Sequence, residues 1–257
     1  MGPPDNLWMT ALAHIFTLNV SDMTTIADDA ATLLHAAFEK QPPSTTDITP
    51  AALTQSLAHF FDILRALEQQ ENAANTTPID MDKQDLADHG LRLLNELHTW
   101  STKLQCDEAS RRYEQLTIPL AIWAARHQLS ITELELLINA LSALANNTHE
   151  PAQLAAMSDA LDEIIEAIAP QLRQDLDRNN PGRPWRILNI NHSIIATRSH
   201  DPQRMEAVFE QLLFRLPEDA PGFFDEGMQQ MSSIDYPDHV RAVMEKYYQK
   251  THRHTLH

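Results

Sequence analysis

Apolar residues recur three and four positions apart along most of this chain. Leu53, Leu57, Phe60, Phe61, Leu64 and Leu67 share one face of a 3.6-residue helix, as do Leu86, Leu93, Leu94, Leu97 and Trp100. Leu134, Leu137, Ile138, Leu141 and Leu144 repeat the pattern, followed by Leu154, Met157, Leu161, Ile164, Ile165 and Ile168. The alternation of β-branched and aromatic residues that marks strands does not occur. The spacing predicts about eleven helices, over residues 5–18, 21–39, 50–71, 82–104, 106–127, 131–146, 151–174, 184–199, 202–216, 220–232 and 237–251.

Punctuation supports these bounds. Thr49-Pro50 places a capping side chain before a proline at the first helical position. Glu150-Pro151, Asp201-Pro202 and Tyr236-Pro237 repeat that proline placement. Ser130-Ile131-Thr132-Glu133 reads as a capping box, in which serine and glutamate satisfy each other's orphan backbone donors. Residues 41–49, with Pro42-Pro43, and 72–80 are polar and without period. Asn179-Asn180-Pro181-Gly182 is the strongest break. It predicts a junction between an N-terminal helical body, 1–175, and a C-terminal helical array, 184–257. One continuous solenoid is the alternative. The fold class is all-α, built from antiparallel helix pairs.

One internal repeat stands out. The segment Asp201–Leu213 aligns with Tyr236–Tyr248 at an offset of 35 residues. Pro202/Pro237, Ala207/Ala242, Val208/Val243 and Glu210/Glu245 are identical. Phe209/Met244, Leu212/Tyr247 and Leu213/Tyr248 match in bulk. Each segment follows another helix, so the unit is two helices in about 35 residues. Over residues 184–251 this resembles tetratricopeptide-like repeats, which form right-handed arrays. Phe209 and Pro217 fall where that family expects an aromatic and a closing proline, and Ser193 falls at a small position. Met205 and Leu212 depart from it, standing where the family prefers alanine. The resemblance implies a concave surface that binds an extended peptide or a partner helix.

Composition narrows the function classes. Five glycines and no Asn-Gly or Asp-Gly step argue against parallel α/β folds and hairpins. The net charge of −17 is spread evenly, with 8 basic and 17 acidic residues in 1–128 and 11 and 19 in 129–257. Such a chain repels phosphate backbones, so nucleic acid is not an expected partner. Cys106 is the sole cysteine, which excludes an intrachain disulfide and a cysteine-built zinc site. No run reaches the roughly 20 apolar residues of a membrane span. The first basic residue is Lys40, so no secretory signal is read. A cytoplasmic location without membrane association is expected.

Catalytic and metal motifs are thin. HExxH, P-loop, G-x-G-x-x-G and G-x-S-x-G patterns do not occur. Asp85 and His89, with Glu96 and His98 two turns on, would need a further ligand from another helix to hold a metal. The tail histidines His252, His254 and His257 offer weak metal affinity. Adjacent acids such as Asp28-Asp29, Asp162-Glu163 and Asp225-Glu226 diverge by about 100° on a helix, as solvated charges do. No cofactor, metal or catalytic step is implied.

The region from Arg178 to Arg198 is different. It holds Arg178, Arg183, Arg186 and Arg198 and no acid, with Trp185 among them. Arginine offers a planar fork for carboxylates, and arginine with tryptophan is typical of binding hot spots. The expected partner site is therefore Trp185, Arg186, Asn189, His192 and Arg198, gripping an acidic or carboxylate-ended peptide. The competing reading pairs these arginines with acids of the same chain and puts Trp185 in the core. Met228 and Met231 with Phe223 and Phe224 read as core or as an adaptable surface. Tyr247 and Tyr248 either close the last repeat or offer a homodimer contact. The favoured function is a non-enzymatic scaffold or adaptor binding a protein or peptide. An enzyme or small-ligand binder using His89, His98 or His127, and a self-associating structural protein, are the alternatives.

Overall fold

The computed structural model describes residues 15–41, 48–71, 81–176 and 178–254. The expected helix over 5–18 lies mostly outside them; Ile15–Thr17 form a single 3-10 turn. Eleven helices and no strand are present among the described residues, so the all-α class holds. They are α1 (Val20–Lys40), α2 (Pro50–Glu71), α3 (Lys83–Lys103), α4 (Asp107–Arg126), α5 (Glu135–Asn147), α6 (Pro151–Ala167), α7 (Pro170–Arg173), α8 (Pro184–Arg198), α9 (Pro202–Arg215), α10 (Ala220–Ser233) and α11 (Asp238–His254). No helix among the described residues is long and apolar enough to cross a membrane.

The chain divides into two compact units: Met1–Leu141 with Glu163–Ala169, and Ser142–Asp162 with Pro170–His257. The division therefore does not fall at residues 176–183, which lie inside the second unit.

In the first unit α1 packs on α2, α2 on α3, α3 on α4, and α4 back on α1, closing a ring of four. Its core is mainly aliphatic with a few aromatics: Leu57, Phe60, Phe61, Leu64, Leu94, Leu97, Tyr113 and Leu116 are all at most 2% exposed. Asn19 caps α1 through a capping box with Asp22, and Asp82 caps α3 by accepting from the backbone N–H groups of Gln84 and Asp85. Pro119 sits inside α4, where proline removes a backbone donor. That helix is nonetheless the most deeply buried element of its unit, so packing overrides the local penalty.

Two expected boundaries move, each for an identifiable reason. The capping box at Ser130–Glu133 does not form, and α5 starts at Glu135. The Gln84 side chain takes over the Ser130 backbone instead, accepting from its N–H at 2.7 Å and donating to its carbonyl at 2.8 Å. Ile131 then pairs with Ile168 as an isolated parallel bridge, its N–H donating to the Ala167 carbonyl at 2.8 Å. That bridge, with Pro170 disfavouring helix at the residue before it, divides the expected helix 151–174 into α6 and α7.

In the second unit α8 packs on α9, α10 on α11, and α9 on α11. The 35-residue offset reappears in burial. Met205/Val240, Val208/Val243, Phe209/Met244 and Leu212/Tyr247 are buried pairs, whereas Ala207/Ala242 and Glu210/Glu245 are exposed pairs. Phe209 stands edge-on to Phe223, Phe224 and Tyr247 at 5.7, 5.1 and 5.3 Å, the arrangement that aromatic quadrupoles favour. Tyr247 is thus core. Its hydroxyl donates to Glu210 at 2.8 Å, and burial, then this carboxylate, pushes its pKa well above the ordinary value.

Candidate functional site

The five side chains expected to line a groove are placed as follows. Trp185, Asn189 and His192 are 4%, 3% and 1% exposed. Arg186 donates to Asp219 Oδ1 at 2.6 Å and to the Pro181 carbonyl at 3.1 Å. Arg198 donates to the carbonyls of Ala145 and Thr148, at and just past the end of α5, at 2.7 and 2.5 Å. Three of the five are thus inaccessible to a partner, and the other two have partners within their own unit.

His192 and Ser158 lie 2.9 Å apart, and Asp162 is 3.9 Å from the same ring nitrogen. Serine, histidine and aspartate invite comparison with a nucleophilic triad. A triad needs serine on one imidazole nitrogen and the acid on the other, with the serine open to substrate. Here both meet Nε2, and Ser158 is fully buried. Burial, with the Arg215 charge behind it, lowers the His192 pKa to about 3, so the ring is neutral at ordinary pH.

The other candidate clusters are separate. His89 is exposed, His98 lies 3.1 Å from Ser110 Oγ, and His127 packs 4.4 Å from the Trp123 ring. Among the described residues no three His, Cys, Asp or Glu side chains converge to hold a metal. His252 pairs with Asp225 at 3.3 Å; His257 lies outside the described residues.

The arginine run nevertheless leads to a cleft in the second unit. Arg173, Gln174, Asp175, Arg178 and Arg183 face Arg215, Leu216, Pro217, Glu218 and Asp219 across a small cleft of about 60 Å³. Among the described residues, four guanidinium groups and three carboxylates line it.

Three of these arginines are held in different ways. Arg183, at the N-cap of α8, is 5% exposed. It donates to Asp175 at 2.7 Å, to the Asn180 carbonyl at 3.1 Å, and to Asp219. Burial works against its charge, but the hydrogen bonds to Asp175 and Asp219 outweigh it and hold its pKa above the ordinary value. Asp219 therefore makes no side-chain cap to α10, although it stands at that helix's N-cap; both its oxygens serve arginines. Asp175 adopts a left-handed backbone, φ 50°, which turns the chain after α7. Arg215 sits 5.9 Å over the Trp185 ring and donates to Asn189 at 3.4 Å. Trp185 and Asn189 thus position a cleft arginine instead of meeting a partner themselves. Arg178 pairs with Glu218 at 2.9 Å, and these side chains are 59% and 66% exposed.

Two large apolar side chains adjoin this lining in the chain. Leu176 follows Asp175 and is 84% exposed; Phe214 precedes Arg215 and is 87% exposed. Phe214 lies off the stripe of Met205, Val208, Phe209, Leu212 and Leu216, a phase readable from sequence. Arg173, Arg215 and Asp219 gave no such signal, because they lie outside the acid-free run.

Guanidinium groups in a cleft bind oxyanions. The acid–base groups among its described lining residues are Asp175, Glu218 and Asp219, and each is paired with an arginine. Comparison with known proteins yields no matching family model, no matching curated protein and no matching solved structure.

Proposed function

We propose that this protein is a non-enzymatic helical scaffold that binds a protein or peptide partner at the arginine cleft of its second unit. The observation that supports this reading is the exposure of Leu176 and Phe214, 84% and 87%, each adjacent in the chain to a residue that lines the cleft. Covering each would contribute about 1.5–3 kcal/mol of apolar burial before ordering costs. Aromatic and arginine side chains together are the common composition of energetic centres in interfaces.

Affinity capture from native extract tests this, comparing wild type with the Leu176→Ser/Phe214→Ser double variant. Loss of specific partners from a variant with unchanged circular dichroism supports the reading. Identical partner sets remove it. Light scattering on the same pair checks for a second copy of the chain. A dimer that the double variant dissolves would move the assignment to self-association.

A further inference from the structure

We infer that Cys106, in the first unit, is a site of reversible oxidation by hydroperoxides, and that the Tyr113 hydroxyl holds the oxygen its sulfur gains. The partner reading above concerns the other unit and neither supports this nor depends on it.

Two gaps in hydrogen bonding meet at the start of α4. Cys106 stands at the N-cap, yet its side chain makes no cap bond to the first turn. An oxygen-bearing side chain is favoured there, and sulfur accepts only weakly. The backbone is fixed: Gln105 before it is left-handed, φ 54°, and the Cys106 N–H donates to the carbonyl of buried Ser101 at 2.8 Å. Cys106 itself is half-exposed, open to an oxidant as small as hydrogen peroxide. Tyr113 is the second gap. It is 0% exposed, and its hydroxyl has no hydrogen-bond partner among the described residues, which is costly and rare in folded proteins. Seven residues, two helical turns, separate it from Cys106, so both lie on one face of α4. A helical side chain leans back toward the N-terminus, which aims the hydroxyl at the Cys106 end. Burial, then the charges of Cys106 and Asp28, raises the Tyr113 pKa and keeps the proton on the hydroxyl as a donor.

Oxidation supplies the acceptor that both gaps lack. Cys106 Sγ, as thiolate, attacks the peroxide: an S–O bond forms, the O–O bond breaks, and its electron pair leaves with hydroxide, which becomes water by taking up the thiol's proton. Sulfur is oxidised to the sulfenic acid and the peroxide is reduced. The new oxygen accepts from Tyr113 and from the first-turn N–H groups of α4, where the helix dipole favours an oxyanion. The acids nearby are Asp28, Asp107 and Glu108, and Glu108 is paired with Arg111 and Arg112 at 2.6 and 3.1 Å. Cys106 is the sole cysteine, so no intrachain disulfide consumes the sulfenic acid. A small thiol does so, giving a mixed disulfide and water, and a second thiol releases the reduced protein.

The test treats the reduced full chain with hydrogen peroxide, traps sulfenic acid with dimedone after a fixed delay, and maps the adduct by peptide mass. A Cys106 adduct is expected, reversed by a small thiol when dimedone is withheld, and severalfold weaker in Tyr113→Phe. That variant removes an unpartnered hydroxyl, so in the reduced state it is expected to melt no lower than wild type. Oxidation is expected to raise the melting temperature of wild type and not that of the variant. Absence of a Cys106 adduct, adducts of equal yield in the two proteins, or oxidation that lowers the melting temperature of wild type each overturns the inference. A disulfide between two copies as the main product also overturns it, since the oxidised sulfur would then meet a second chain instead of Tyr113. The wild-type melting comparison decides the matter even where the variant fails to fold.

Discussion

The two units are held together by different chemistry. Ion pairs in the first are short-range and solvated: Arg65 with Asp62, and Arg111 and Arg112 with Glu108. A longer pair, Arg126 with Glu163, is about half exposed on each side. What joins its helices is aliphatic and aromatic burial. In the second unit arginines bridge distant segments. Arg183 and Arg186 meet at Asp219, Arg198 reaches the end of α5, Arg204 meets Asp159, and Arg241 donates to the carbonyls of Met231, Ile234 and Tyr236. Apolar burial is forgiving and non-directional, whereas a guanidinium that serves several acceptors fixes geometry and leaves them unsatisfied when removed. The same residue type that organises the second unit also lines its cleft.

The largest expected break comes from Arg183→Met. It strips Asp175 and Asp219 of a buried partner and is expected to cost about 3–5 kcal/mol in urea denaturation. Arg126→Met in the first unit is expected to cost less than about 1 kcal/mol, because water screens that pair. Equal losses would erase the contrast between the units.

Acid should expose the second unit through His192. Its folded pKa lies near 3, against an ordinary 6.5. The folded state therefore binds fewer protons than the unfolded one between these values. The contribution is fully present above about pH 6.5 and is lost as pH falls toward 3. His192→Gln is expected to flatten the stability curve across that window relative to wild type. Parallel curves for the two proteins would contradict the buried neutral ring.

Two glycines sharpen the comparison at smaller scale. A β-carbon at Gly90 would stand 2.7 Å from Phe60 Cε2 and 3.0 Å from Leu120 Cδ2. Both neighbours are buried, so Gly90→Ala is expected to cost about 1–3 kcal/mol. At Gly227 the obstacle is Met244 Sδ, also at 2.7 Å, but methionine repacks more easily. Gly227→Ala is expected to cost less than about 1.5 kcal/mol. Thermal denaturation of both variants measures the difference, and a costlier Gly227→Ala would reverse the assignment of which packing is rigid.

The smallest effects concern helix ends. Gln128 and His200 adopt left-handed φ of 59° and 58° where glycine is usual. Gln128→Gly is expected to add on the order of 0.5 kcal/mol by relieving the β-carbon. His200→Gly is expected to gain nothing, because it also removes the ring contact with Tyr236 at 5.8 Å. Precise melting curves separate the two.

Much of this was legible before the structure. Apolar period and proline placement located α1 to α4 and α8 to α11 to within a few residues, because both signals act within one turn. The expected helix over 131–146 was started too early because Gln84, 46 positions away, outcompetes a local cap at Ser130. The expected helix 151–174 ran too far because the pairing of Ile131 with Ile168 is long-range. The arginine run drew attention to the right stretch of chain. It gave no indication of which acid each arginine meets, since Asp219 lies 36 residues from Arg183.

Sequence by itself determined the helical class, the 35-residue correspondence and the local concentration of guanidinium groups. Each depends on neighbours within a turn, or on composition. Only the tertiary structure decided that Trp185, Asn189 and His192 face inward, that Arg183 is locked, and that Arg178 stays open to water. Burial and pairing depend on what other elements bring to the same point, and no local pattern encodes that.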